Sequence, residues 1–439
     1  MTAPSVVHVV PRLSMTGPVR GIAAEAKYAS RLGIERAHRV VALERELSPA
    51  AVLLLRREGI ALTVRPTPSE LDDVVREADL VLVHFWNCPS MFEFLLRPLP
   101  ATRMVAWIET QGLDAPQVVP DALIDFVDDV LLTTPVTLAS PALSRRRQSE
   151  PPMVAPGIAD MDRLEAWQPV DHEGFVIGYV GTVNAGKLHP RFVELCAAVD
   201  VPDARFVVYG AGGGEAALRE EAAARGLGDR FEVKGHTEDL AAALGEMDVF
   251  GYPLRPDTYA SSEKAIQEAM WVGIPPVVFP FGGVRELVRP GVDGLIADDE
   301  AQYVQHLERL AADPELRDRL GAEARRRARE VFDPIALTSR LDDFFTRALA
   351  VPKRAREWDD WGDEPARWFA HALADAGAPF REDLAHGPSA DARRAIATLP
   401  FLVLHGEGGL AHWRNHFSPD ETLDEWCRVA LGGGTGEPS

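Results

Sequence analysis

An alternation repeated twice along the chain constrains its fold more than any other feature. Short, almost purely aliphatic runs are separated by amphipathic stretches. In the first half VVHVV (6–10), RVVAL (39–43), LTV (62–64), LVLVH (80–84), MVAWI (104–108) and DVLLTT (129–134) read as strands. GIAAEAKYASRLG (21–33) and SPAAVLLLRREG (48–59) read as helices between them. Strands this apolar must be covered on both faces, and alternating helices supply the cover. The expectation is a parallel sheet in a doubly wound α/β unit. The Pro- and Gly-punctuated segment PPMVAPGIADMDRLEAW (151–167) then reads as an interdomain crossing. The alternation restarts at FVIGYVG (175–181) and runs through HPRFVELCAAV (189–199), RFVVYG (205–210), EAALREEAAARGLG (215–228), FEVKGH (231–236) and MDVFGYP (247–253). An Arg-rich helix over 314–332 closes this second series, and its charges read as a solvated face. Units of this kind bind ligands at the carboxyl ends of their strands.

The expected organisation is a first domain over 1–165 and a second over 166–335. A crossing helix with a helical extension should fill 336–430, and a disordered glycine-rich tail 431–439. The extension carries Trp358, Trp361, Trp368, Trp413 and Trp426, an aromatic density that reads as packing rather than a ligand box. A length of 439 residues suits two core-bearing domains with a remainder. The net charge of −21 argues against nucleic acid as a partner, because a phosphate backbone needs a basic footprint. Three scattered cysteines, Cys88, Cys196 and Cys427, give neither a disulfide framework nor a metal spacing, so a reducing cytoplasm is expected. No apolar run approaches the ~20 residues of a membrane span. The opening MTAPSVVHVVPRL lacks a secretory pattern. No stable membrane anchor is expected.

The chemistry concentrates between Arg255 and Asp298. A helical run, EKAIQEAMWVG, presents Glu268 and ends at Gly273. A buried-strand run, IPPVVF, follows, then the pair Gly282–Gly283, the acid Glu286, and a turn from Gly291 to Gly294. A carboxylate on a helix beside glycine loops suits a sugar nucleotide. The acid takes ribose hydroxyls while backbone amides take phosphate oxygens.

This arrangement resembles the donor signature of the retaining GT-B glycosyltransferases of family GT4. The resemblance implies two Rossmann-like domains facing a cleft, an N-terminal acceptor domain and a C-terminal nucleotide-sugar donor domain. It places Glu268 on the ribose hydroxyls. In GYVGTVNAGKLHP (178–190), Lys187 falls in register with the family lysine that neutralises the diphosphate and stabilises it on departure. Thr182 stands where the family has an arginine, so one charge must come from elsewhere: Lys264, Arg255, Arg285, or the amides of the AGGG turn (211–214) and the 259–263 loop with Ser261 and Ser262. Ala260 stands where the family glutamate holds the transferred sugar, which implies an altered donor sugar. Glu263 lies one helical turn closer, in a different register. Gly235 and His236 sit where the family backbone reads the base.

In the first domain RLSMTGPVRG (12–21) resembles the family glycine loop, with Gly17 and Arg20 in register. VAWIETQG matches the segment that carries the sugar-facing histidine and has Glu109 instead, a candidate acceptor-side base. His84, Trp86 and Asn87, at the end of LVLVHFWN, are expected to outline an acceptor pocket with Trp107 and Glu109. His84, Glu109 and Lys187 are the candidate catalytic residues. His405, Glu407, His412 and His416 cluster in the extension but read as polar surface rather than a metal site. No Asp-x-Asp metal motif appears, so a metal-independent reaction is expected.

The resemblance therefore implies transfer of a sugar from a nucleoside diphosphate to a small-molecule acceptor, with no cofactor besides that donor. Ala-, Arg-, Pro- and Asp-rich usage, as from a high-GC actinobacterial gene, and the altered sugar-facing pair, Ala260 and Glu109, suggest actinobacterial natural-product biosynthesis. The overall form is similar to S-glycosyltransferases of lincosamide pathways, which pass a GDP-linked octose to the thiol ergothioneine. A catalytically silent partner subunit and a GT-B-like epimerase or phosphorylase are the competing readings. A homodimer is compatible with all of them.

Overall fold

The computed structural model describes residues 3–15, 17–145, 151–358, 360–387 and 389–431. The expected disordered tail falls, from residue 432 onward, outside the described residues. The chain divides into two compact units, residues 1–155 with 339–439, and residues 156–338. The expected boundaries at 165 and 335 are therefore displaced, and the extension is part of the first unit rather than an appendage.

In the first unit the strands are β1 (Ser5–Val10), β2 (Ala37–Ala42), β3 (Ala61–Val64), β4 (Leu80–Phe85), β5 (Leu99–Thr102), β6 (Met104–Ile108), β7 (Asp129–Leu132) and β8 (Met153–Val154). Seven of them form one sheet in the order β3-β2-β1-β4-β6-β7-β8. Every pairing in it is parallel, as strands buried on both faces require. The order reverses between β1 and β4, and doubly wound sheets commonly bind ligands at the carboxyl end of such a pair. Local sequence sets the helix starts. Thr67 and Glu70 form a reciprocal capping box at the head of Pro68–Glu77, where the Thr67 N–H donates to Glu70 Oε2 at 2.7 Å.

The extension joins this core through its aromatics. Trp361 and Trp413 lie 5.3 and 5.9 Å from Phe92 of helix Pro89–Leu95. Trp413 and Trp426 are almost wholly buried. Trp426 donates its indole N–H to Asp383 at 2.9 Å. β5 stands off the main sheet and pairs antiparallel with Arg354–Arg356. The tryptophans are thus packing residues, and they pack into the first unit itself.

In the second unit the strands are β9 (Phe175–Val180), β10 (Ala204–Tyr209), β11 (Phe231–Gly235), β12 (Val249–Tyr252), β13 (Pro276–Val278) and β14 (Leu295–Ile296). They form a parallel sheet in the order β11-β10-β9-β12-β13-β14, with the reversal between β9 and β12. From Pro156 the linker belongs here, because Ala159, Met161 and Leu164 enter this unit's core. The Gly157 N–H also donates to Ser262 Oγ at 3.1 Å. Helix Pro314–Val331 starts at Asp313, whose side chain accepts from the Leu316 N–H at 2.9 Å. Its arginines are more than a solvated face: Arg317 donates to the Leu310 carbonyl at 2.8 Å, and Arg327 approaches the buried Asp293 at 3.6 Å.

Candidate functional site

The loops that leave β9 and β12 flank the reversal in the second unit, and they carry the expected donor residues. After β9 the chain turns through Thr182 to Lys187; after β12 it runs through Arg255 to Glu263, the N-cap of helix Lys264–Val272. Lys187 donates from Nζ to Glu263 Oε2 at 2.6 Å. The Tyr252 hydroxyl donates to the same oxygen at 2.7 Å, and the lysine sits 5.9 Å from the centre of the Tyr252 ring. Tyr179 stacks on Tyr252 at 5.1 Å and donates its hydroxyl to the Thr182 carbonyl at 2.8 Å. Burial alone would push the Glu263 carboxyl up, yet the Lys187 charge and hydrogen bond outweigh it and hold it below the ordinary carboxylate value. Burial, then the Glu263 charge, drives Tyr252 well above the ordinary phenol value.

Glu268 is almost fully buried on the same helix, and its charge also raises Tyr252, so it lies on the Tyr252 side. Lys264 and Glu268, four residues apart, share a helix face. The helix's first N–H groups have no intrahelical acceptor and make a positive pole. Arg255 hydrogen-bonds the Lys187 carbonyl through its backbone N–H at 3.1 Å, while its guanidinium holds Asp257 and the Ala185 carbonyl. It braces the Lys187 loop. Arg285 instead pairs at 3.7 Å with Glu286, and both are exposed.

Close approach of backbone explains the glycines at several of these positions. A Cβ on Gly282 would meet the Ala260 carbonyl at 2.6 Å, and one on Gly283 would collide with the Ser261 carbonyl. Gly283 N–H donates to the Ala260 carbonyl at 2.8 Å. Ala260, Ser261 and Ser262 are buried beneath this contact. Gly210, at φ +147°, presses on the Gly181 carbonyl and stitches the AGGG turn to the Thr182 loop. Gly235 has a left-handed φ of +78° at the end of β11, and His236 beside it is exposed.

In the first unit Gly17 opens helix Gly17–Arg31, with the half-buried Arg20 in its first turn. Glu109 follows β6 and accepts at Oε1 from His84 Nδ1, 2.6 Å away. Trp107 stacks on His84 at 5.6 Å and is 6% exposed, so it is a sheet residue rather than a rim aromatic. Trp86 is half-buried at the end of β4. Asn87 departs from expectation. Its side-chain amide donates to the Val118 carbonyl of the loop after β6 at 3.0 Å and to the Ala372 carbonyl of the extension at 2.6 Å, so neither hydrogen is left for an acceptor. Of the extension cluster, Glu407 is drawn inward to Arg12, and His416 meets Glu93 at 3.1 Å. Among the described residues no His, Cys, Asp and Glu group is arranged to hold a metal ion.

Sequence reasoning missed Tyr252 and Tyr179, which seat the Lys187–Glu263 pair, and it missed His8 and His38, which line up with His84. A histidine inside the otherwise aliphatic run VVHVV was the available signal for His8.

Residues 160–327 match the family model described as glycosyl transferases group 1. A GDP-mannose-dependent alpha-mannosyltransferase of Mycolicibacterium smegmatis is 30% identical over 143 residues, 33% of this chain and 35% of that protein. The Vi polysaccharide biosynthesis protein VipC/TviE of Salmonella typhi is 33% identical over 98 residues, 22% of this chain and 16% of that protein. The chain thus spans about a third or less of the curated relatives it matches. Among solved structures, Anabaena Alr3699/HepE in complex with UDP and glucose superposes with a TM-score of 0.62 at 16% identity, over 78% of this chain and 100% of that one. Sucrose-phosphate synthase from Thermosynechococcus elongatus gives 0.60 at 15%, over 79% and 99%. The fold is that of the GT-B proteins: two Rossmann-like units with C-terminal helices.

Proposed function

We propose that the protein is a glycosyltransferase that moves a sugar from a nucleoside diphosphate to a small-molecule acceptor, without a metal ion. The observation that carries this reading is Lys187 held at the N-terminus of helix Lys264–Val272, with Glu268 on the same helix, inside the stretch that matches the family model. The helix pole and Lys187 take the diphosphate and receive its charge as the sugar departs. Glu268 takes the ribose hydroxyls. In the first unit Glu109, oriented by His84, removes the acceptor proton.

The donor nucleotide tested first is GDP, in keeping with the mannosyltransferase relative's name. Ala260, small and buried where a sugar-holding acid would stand, favours an unusual sugar. The finest form of the reading is S-glycosylation of a thiol such as ergothioneine in natural-product biosynthesis. A thermal-shift series with UDP, GDP, ADP and dTDP tests the donor site, since the right nucleotide stabilises by mass action. Transfer assays with alcohol and thiol acceptors then separate the acceptor classes. No shift with any nucleotide would end the proposal.

A second reading, a silent partner subunit, draws on Thr182 and Ala260 and on the engagement of Lys187 by Glu263. Donor hydrolysis by the isolated chain would exclude it.

A further inference from the structure

Four adjacent strands of the first unit carry a file of titratable side chains that the proposed reaction uses only at one end. His38 on β2, His8 on β1, His84 on β4 and Glu109 after β6 follow one another across the sheet. His8 pairs with Val40 and Leu82, and His84 pairs with Trp107. Each step therefore moves two residues along the neighbouring strand. A shift of two keeps every side chain on one face while the file climbs toward the carboxyl edge. The rings stack, His8 lying 5.3 Å from both His38 and His84. His8 Nε2 lies 3.0 Å from His38 Nδ1, His8 Nδ1 lies 3.0 Å from His84 Nε2, and His84 Nδ1 lies 2.6 Å from Glu109 Oε1. At the other end His38 Nε2 is 3.4 Å from Glu25 Oε2. Glu25 Oε1 holds Arg36 at 2.6 Å, and Arg36 reaches Asp342, whose side chain is 35% exposed, also at 2.6 Å.

Proton counting gives the file a direction. Between Glu109 and Glu25 there are four contacts, and three neutral imidazoles bring three N–H protons. One contact must go without. The 3.4 Å gap at Glu25 is the longest of the four, and Glu25 Oε2 has no hydrogen-bond partner. The 2.6 Å contact at Glu109 needs its proton most. All three rings then carry hydrogen on Nδ1, each pointing toward Glu109. Burial keeps His8 and His38 below the ordinary imidazole value, in keeping with neutral rings; the neighbouring His38, His84 and Arg36 add to this at His8, and Arg36 opposes Glu25 at His38.

We infer that Glu109, His84, His8, His38 and Glu25 form a proton-transfer chain holding one proton fewer than its contacts require, so that a proton taken up at the Glu25 end is delivered to Glu109. The solvent proton bonds to His38 Nε2 and the Nδ1 proton of His38 passes to His8 Nε2. That of His8 passes to His84 Nε2, and that of His84 to Glu109 Oε1. One O–H bond of the donating hydronium and three N–H bonds break as three N–H bonds and one O–H bond form. Every ring ends in the opposite tautomer, and Glu109 ends neutral. His84, His8 and His38 are positioning residues for Glu109. Run in reverse, the same steps carry a proton that Glu109 has taken from an acceptor out to the Glu25 end; that consequence rests on the proposed role of Glu109 as base, but the chain itself does not.

Two-bond proton–nitrogen spectra of protein labelled with 15N-histidine test it directly. Nδ1–H tautomers are expected for His8, His38 and His84 at neutral pH. Glu109→Leu removes the acceptor that sets the direction, so His38, which does not touch residue 109, should switch to Nε2–H. An unchanged His38 in a folded Glu109→Leu protein overturns the chain. If that variant does not fold, acid titration of the wild type decides: the three rings should respond together with one apparent pKa. Separate, independent titrations would overturn it. Absence of sugar transfer with the expected tautomers would sink the function and leave the chain standing.

Discussion

Lys187 Nζ and Glu263 Oε2 lie 2.6 Å apart, with side chains 17% and 13% exposed. This is a mostly buried ion pair at the mouth of a helix, and the Tyr252 hydroxyl closes its third side at 2.7 Å. A diphosphate arriving at this helix must compete with Glu263 for the lysine. The proposed donor site is therefore poised by a carboxylate belonging to the protein itself.

Removing the lysine leaves that carboxylate buried without its cation. Lys187→Ala should lower the stability of the second unit by about 3 kcal/mol. It should also abolish the melting-temperature gain from nucleoside diphosphate. Calorimetric melts with and without nucleotide measure both, and a full nucleotide shift in the variant would remove Lys187 from the site.

Glu263→Gln has the opposite effect on the ligand. A glutamine keeps an oxygen for Tyr252 but releases the lysine charge toward the phosphates. Nucleoside diphosphate should bind several-fold tighter, a gain of about 1 kcal/mol by titration calorimetry. Weaker binding would mean that Glu263 itself contacts the donor.

Gly283 has no room for a side chain, because a Cβ there collides with the Ser261 carbonyl. Gly283→Ala should push the 260–262 loop away and cost about 1–3 kcal/mol. Nucleotide affinity should fall with it, since the same loop leads into the helix N-terminus. An unaltered affinity would show that this loop takes no part in binding.

Acid should destabilise the protein early. His8, His38, His189, His306 and His371 lie below the ordinary imidazole value and His412 is lowered to about 4, in each case chiefly because burial disfavours the imidazolium. The unfolded chain takes up these protons near pH ~6.5 and the folded chain does not, so unfolding binds protons and stability rises with pH. The contribution is complete above ~6.5 and is lost as pH falls through that value toward the folded ones. Melting temperatures at pH 7.5, 6.5 and 5.5 should decline, and His412→Gln should flatten the slope. A melting temperature constant over that range would contradict the buried, neutral assignment.

Trp413 is wholly buried, between Phe92 and Phe369. Trp413→Ala should cost about 3–5 kcal/mol in the first unit, visible in denaturant melts. A loss below 1 kcal/mol would mean that the extension is dispensable to that core.

Much of this was readable beforehand, for identifiable reasons. Strands such as MVAWI, with no polar residue to solvate, could only be central strands, and the structure has that one at Met104–Ile108. The elements that carry Lys187 and Glu268 were legible because they are loops and a helix whose spacing is local. What escaped was long-range partnership. Glu263 reads as an acid out of register until folding brings Lys187, 76 positions away, against it. Asn87 reads as a pocket residue until Ala372, 285 positions on, takes its amide. The tryptophan-rich extension reads as an appendage because nothing in its own composition says which surface it covers.

The alternation of aliphatic strands and amphipathic helices is enough to determine two doubly wound units, because burial on both faces of a parallel sheet admits no other period. The order of residues after β9 and β12 likewise determines that a cation and a helix start fall at the carboxyl edge of the second sheet. Strand order and register belong to the tertiary structure alone. Only when β2, β1, β4 and β6 lie side by side, each offset by two, do three histidines scattered over the sequence become one hydrogen-bonded file ending at Glu109. Hydrogen bonds act over 3 Å, and the sequence carries no record of which distant residues the sheet will bring that close.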